Sequence, residues 1–267
     1  MAYRIGRWIA DHWVLGVGLV VLLYLFLPIA VVAGLSFNRP SSRLSYDFHE
    51  FTLDNWTGVC GPAGLCDAVL RSVQIGFVAT VLSTVLGTLM AFALVRHRFR
   101  GRAATNVLIF LPMATPEVVM GTSLLALFVA GGISLGFWTI VIAHVMFCVS
   151  FVVVTVKARL SGMDARLEEA AMDLYATPFQ TFRRVTLPLV LPGIVAAALL
   201  AFSLSFDDFI ITNFNSGTTV TFPMYVWGAS QRGVPAQVNV VGTAMFAIAL
   251  LLVLATNVRR RRGARAG

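Results

Sequence analysis

The chain has 267 residues, 58% hydrophobic and only 12% charged, with a mean hydropathy of +0.84 and a net charge of +8. Soluble domains are roughly 45–50% apolar and about 25% charged. This composition therefore excludes disorder, a collagen-like repeat, a small disulfide scaffold and a soluble enzyme of ordinary surface. The basic balance does not imply nucleic-acid binding, because the charge is placed by topology. Sixteen of the twenty Lys and Arg residues fall in four clusters: Arg4 and Arg7; Arg96, Arg98, Arg100 and Arg102; Lys157, Arg159, Arg166, Arg183 and Arg184; and Arg259 to Arg262 with Arg265.

A helix needs ~20 apolar residues to cross a bilayer. Residues 13–38, 72–95, 185–206 and 233–258 lack Asp, Glu, Lys and Arg, and each is long enough for one crossing. Residues 118–156 are also uncharged but too long for one span, and Gly131, Gly132 and Gly136 break them near the middle. The expected spans are 14–36, 72–95, 104–130, 137–156, 187–206 and 238–258. Pro112 and Pro116 each remove a backbone donor, so the third span should be kinked or broken there. With both termini cytoplasmic, all four basic clusters lie inside and only Arg39, Arg43, Arg71 and Arg232 lie outside. The first apolar run exceeds the usual ~7–15 residues of a secretory signal, so it reads as an uncleaved anchor. The expected fold is an all-α integral membrane bundle, one permease-like domain over 1–267.

The loop after the first span holds Trp56, Cys60 and Cys66. A Cys60–Cys66 disulfide and two reduced thiols both fit an extracytoplasmic segment. Cys148 and His144 read as packing residues within the fourth span. No spacing of His and Cys suggests a metal site.

Residues 157–186, between the fourth and fifth spans, are patterned as a cytoplasmic hairpin. Leu167, Ala170, Ala171 and Leu174 share one helical face. Asp164, Glu168 and Glu169 crowd its start, where the helix dipole favours negative charge. Thr177-Pro178-x-Gln180 reads as a capping box, and Arg183 and Arg184 as the close of a second short helix. The small alanines allow close approach of another surface, and a helix resting on lipid headgroups fits the same pattern.

Glu169-Ala170-Ala171, followed by Val185-x-Leu187-Pro188, resembles the EAA loop of ABC importer permeases. The family's usual glycine, four residues after the second alanine, is Tyr175 here, beyond Asp173. Residues 98–101, 135–138, 151–156, 205–209 and 233–239, with His144 and Phe147-Cys148, are similar to the spermidine/putrescine branch. The resemblance implies a type I importer bundle whose hairpin inserts into a separate ATPase. It also implies a second, usually different, permease chain, two ATPase subunits that bind ATP and magnesium, and an extracytoplasmic solute-binding protein. This chain has no G-x-x-x-x-G-K-[ST] phosphate loop and should carry no cofactor or catalytic residue of its own.

Carboxylates at membrane depth cost about 2.5 kcal/mol or more and usually face a cavity or a partner. Glu117 is such a residue, with the pathway or a hydrogen-bonded place in a subunit interface as its two expected settings. Asp207 and Asp208 either mark the outer exit of the fifth span or offer negative charge to a polycation. Phe206, Phe209 and Trp227 would then add cation–π contacts. Iron(III) or phosphonate import is an alternative within the family. A self-contained secondary transporter or channel is an alternative outside it, although the halves show no convincing repeat.

Overall fold

The computed structural model describes residues 2–42, 47–164 and 166–263, with side chains described between 13 and 251 within those ranges. Arg43 and Arg265, and the side chains of Arg4, Arg7 and Arg259 to Arg262, lie outside the described residues. In chain order the elements are α1 (Ala2–Ser36), β1 (Asn38–Arg39), β2 (Glu50–Phe51), α2 (Asp54–Thr57), α3 (Leu65–Arg96), α4 (Arg102–Ala114), α5 (Glu117–Ala130) and α6 (Phe137–Ser161). There follow α7 (Arg166–Asp173), α8 (Pro178–Thr181), a π-helical turn (Phe182–Thr186), α9 (Leu187–Asp207), α10 (Ile210–Asn215), α11 (Phe222–Ser230) and α12 (Ala236–Gly263).

Among the described residues, four helical stretches are long and apolar enough to cross a membrane: 13–36, α3, α6, and the run from α8 through α9. The third expected span, 104–130, is not one rod. It is α4 and α5, bent by 105° at Thr115-Pro116. Pro116 lacks the donor that would continue the helix, and an extended Thr115 precedes it (ψ 131°). Pro112 stays inside α4. The described apolar part of the last span, Ala236–Leu251, is shorter than the other four.

The chain divides into two compact units. One holds residues up to 66 and from 226 onward. In it α1 pairs with α12, with Phe26 edge-on to Phe246 at 6.1 Å. The apolar window of α1 has none of its residues buried within the chain, as expected of a helix that faces lipid or another subunit. Beyond it, β1 and β2 pair antiparallel, with Asn38 opposite Phe51. Asn55 donates to the Ser36 and Asn38 carbonyls at 3.2 and 2.9 Å. Cys60 and Cys66 are joined by a disulfide, with Cα atoms 5.3 Å apart.

The other unit, residues 67–225, is built around α6, whose apolar window is 61% buried. Phe147, Cys148, Val152 and Val156 of α6 pack with Leu94, Leu124, Val190 and Ala197. Gly87 makes this possible: a Cβ there would stand 2.7 Å from Val152 Cγ1 and 3.1 Å from the Val149 carbonyl oxygen. Without a side chain, α3 and α6 can cross at backbone contact.

Candidate functional site

The hairpin begins where α6 ends at Ser161. Asp164 precedes the first turn of α7, and its Oδ1 accepts the Arg166 N–H at 3.0 Å. The helix stops at Asp173, so Leu174 lies in the turn beyond it. Ala176 N–H donates to the Ala171 carbonyl at 3.1 Å, and Tyr175 N–H to the Met172 carbonyl at 2.9 Å. These two bonds form a Schellman cap, whose left-handed position usually holds glycine. Here Tyr175 fills it with φ +63°, the one non-glycine residue with positive φ among the described residues. A Cβ in this conformation costs roughly 1–2 kcal/mol. The turn thus takes a geometry that glycine favours, at the cost of local strain.

Thr177 and Gln180 then cap α8 reciprocally, at 2.9 and 3.3 Å. The expected second short helix is not separate. It runs through the π-helical turn into α9, giving one helix over Pro178–Asp207. Arg183 and Arg184 therefore lie inside this helix rather than at its close.

The two adjacent glutamates of α7 have different surroundings. Glu168 Oε1 accepts from Arg96 Nη2 and from Thr186 Oγ1, each at 2.6 Å. Glu169 is exposed, as are Ala170, Asp173 and Pro188, while Ala171 and Leu187 are half-buried. Beside Glu169 the hairpin also exposes Met172, Leu174, Tyr175 and Phe179, with Leu174 at 82% and Tyr175 at 95%. Large apolar side chains on a turn that also carries a carboxylate make a surface suited to another protein rather than to water.

A second group lies at the far end of α9. Asp208 follows the last residue of that helix and breaks it with extended backbone (ψ 125°). Its Oδ2 accepts from the Thr212 N–H and hydroxyl, both at 2.8 Å, and lies 3.3 Å from His144 Nε2. His144 Nε2 is also 2.9 Å from Thr212 Oγ1, and its Nδ1 is 2.6 Å from Ser205 Oγ. Because the Thr212 hydroxyl donates to Asp208, it accepts from Nε2–H. The other ring nitrogen, Nδ1, shares a hydrogen bond with the Ser205 hydroxyl. His144 and Asp208 are 1% and 8% exposed. Asn215 continues the anchoring, donating to the Ile211 and Gly121 carbonyls at 2.9 and 3.3 Å. The chain after Asp208 thus forms a short, largely buried helix, α10, held against α5 and α6.

The neighbouring acids consequently have different settings. Asp208 is enclosed, whereas Asp207 is exposed. Glu117 is not inside a continuous helix: it is the first residue of α5, and it too is exposed. Phe206 is half-buried, stacked on Phe202 at 5.9 Å and tilted on Phe222 at 6.1 Å. Phe209 is half-buried; Trp227 is exposed and belongs to the other compact unit. Among the described residues, no three His, Cys, Asp or Glu side chains are grouped to hold a metal ion. Sequence reasoning did not find the partners Arg96, Thr186, Ser205 and Thr212, and it gave His144 no more than a packing role.

Span-length apolar helices, a broken span and an exposed hairpin between two of them define a multi-span membrane protein. Residues 83–260 match the family described as binding-protein-dependent transport system inner membrane component. The chain is 39% identical over 249 residues to the spermidine/putrescine transport system permease protein PotC of Haemophilus influenzae, covering 91% of this chain and 94% of that one. It is 36% identical over 244 residues to the putrescine transport system permease protein PotI of Escherichia coli, covering 88% and 86%. In fold it is similar to a chain of a bacterial ABC transporter involved in the import of the acidic polysaccharide alginate (TM-score 0.68, 15% identity, covering 97% and 99%). It is also similar to a chain of the inward-facing MetNI methionine ABC transporter (TM-score 0.59, 19% identity, covering 74% and 95%). The chain belongs to the family of inner-membrane components of binding-protein-dependent transport systems, and it is a multi-pass protein of the bacterial inner membrane.

Proposed function

We propose that this chain is the permease subunit of an ATP-driven polyamine importer and forms half of the translocation pathway. The single observation that carries the substrate class is the 39% identity to a spermidine/putrescine permease across 91% of the chain. The proposed arrangement has six spans with both termini cytoplasmic. A second, different permease chain completes the pathway, and an extracytoplasmic binding protein delivers the solute. Two ATPase subunits bind ATP and magnesium. The permease itself hydrolyses nothing and carries no cofactor.

In this reading the ATPase grips the exposed face of the hairpin, with Glu169 beside Ala170 and Ala171 at its centre. The apolar side chains from Met172 to Phe179 would supply contact area once water is excluded. Exposed Asp207 and Glu117 supply negative charge to an extended polycation, whose local concentration rises along a path of opposite sign.

The test is uptake of labelled putrescine and spermidine by the complete transporter in liposomes, beside unrelated solutes. Uptake of both polyamines, dependent on ATP and abolished by Glu169→Lys, is expected. Polyamine uptake no greater than that of the unrelated solutes would overturn the substrate assignment. Full ATP-driven uptake by Glu169→Lys would overturn the docking assignment.

A further inference from the structure

One atom, Oε1 of Glu168, joins three elements. It accepts from Arg96, the last residue of α3, and from Thr186, the last residue of the π-helical turn that leads into α9. Thr186 is 3% exposed, and the Arg96 and Glu168 side chains are 30% and 18% exposed, so the link is largely withdrawn from water. A second contact lies one helical turn back on both partners: Phe92 of α3 meets Phe182 edge-on at 5.5 Å. Residues four apart share a helix face. Arg96 with Phe92, and Thr186 with Phe182, therefore form a two-point clamp.

α7 has no fully buried residue. No core fixes its orientation, so a charge-assisted link carries more of that task than it would in a packed helix. The π turn adds to this. Its wider hydrogen-bond register is rare and occurs chiefly as single turns at functional places. Here it stands where the hairpin joins the span.

We propose that Glu168 is a positioning residue for energy coupling: its shared oxygen ties α7 to the ends of α3 and α9, so that displacement of the hairpin moves both spans together. This rests on the reading that the hairpin docks on an ATPase. Glu169, about 100° further around the helix, faces the partner, while Glu168 faces the bundle. The two carboxylates divide the work of contact and transmission.

The test uses the complete transporter in liposomes and reads polyamine moved per ATP hydrolysed. Glu168→Ala removes both bonds and should lower this ratio about tenfold, the size expected for losing hydrogen bonds to a charged group. Thr186→Val removes one bond at nearly constant volume and should lower it severalfold. Exchanging the charges, Arg96→Glu with Glu168→Arg, should recover most of the loss. An unchanged ratio in Glu168→Ala, or no recovery on exchange, overturns the proposal. Retention of the ATPase on purification is scored in parallel. Loss of the ATPase from Thr186→Val would make the link merely structural and also overturns the proposal. Retention of the ATPase by Glu169→Lys overturns the docking reading instead.

Discussion

His144 Nε2 and Asp208 Oδ2 stand 3.3 Å apart, though 64 residues separate them in the chain, and together they pin the break between α9 and α10 to the first third of α6. Both groups are buried, and Asp208 accepts further bonds from Thr212. The pair therefore fixes where the helix ends and leaves Asp207 as the acid with an outward face.

The first prediction separates these two acids. Asp208→Ala leaves the Thr212 N–H and hydroxyl without their acceptor and should cost about 2–3 kcal/mol, the scale for a buried hydrogen bond to a charged group. Asp207→Asn should change stability by no more than about 0.5 kcal/mol, as usual for an exposed substitution, while weakening polyamine uptake. Thermal unfolding in detergent beside an uptake assay checks both. Equal destabilisation by the two substitutions would contradict the separation.

Tyr175 bears a Cβ where φ is +63°. Tyr175→Gly removes that strain and should stabilise the hairpin by about 1 kcal/mol, partly offset by the greater freedom of glycine when unfolded. The side chain is 95% exposed, so little packing is lost. Slower proteolysis across residues 173–177 in Tyr175→Gly, and no such gain in Tyr175→Ala, is the expected result.

Thr177 and Gln180 close the start of the long helix reciprocally. Thr177→Ala should cost about 1 kcal/mol. The loss should be local, read as faster amide exchange at residues 178–181 and unchanged exchange within α6.

The Cys60–Cys66 disulfide closes a loop with a sequence separation of six residues. A loop of this size restricts the unfolded chain by about 2 kcal/mol. Denatured without reductant, the protein should show one reactive thiol, that of Cys148. After reduction it should show all three cysteines of the sequence. Three thiols before reduction would mean that the bridge is not formed.

Much of the architecture was legible because its signals are local. Apolar length marked the spans, Gly131 to Gly136 marked the turn before α6, and Thr177 with Gln180 marked a cap. The break in the third span could be foreseen from Pro116, but not its 105° angle, which depends on what α5 packs against. The hidden part is long-range. Nothing near Glu168 indicates that Arg96, 72 residues earlier, meets it rather than Glu169. Nothing near His144 announces Ser205 or Asp208. Adjacent residues on a helix point about 100° apart, so two neighbouring acids, equal on paper, can have opposite surroundings. This happens at Glu168 and Glu169 within α7, whereas Asp207 and Asp208 differ because the helix ends between them.

The unbroken run from Pro178 to Asp207 spans 30 residues, about 45 Å at 1.5 Å per residue. One end leaves the turn where an engine would take hold. The other end carries the acid that would meet the cargo. Under the proposed function, a tug at the first would be felt at the second along a single shaft, with the π turn and Pro192 as its weak points. Gripping and releasing would then be two ends of one lever stroke, joined to α7 at its base by the Glu168 link.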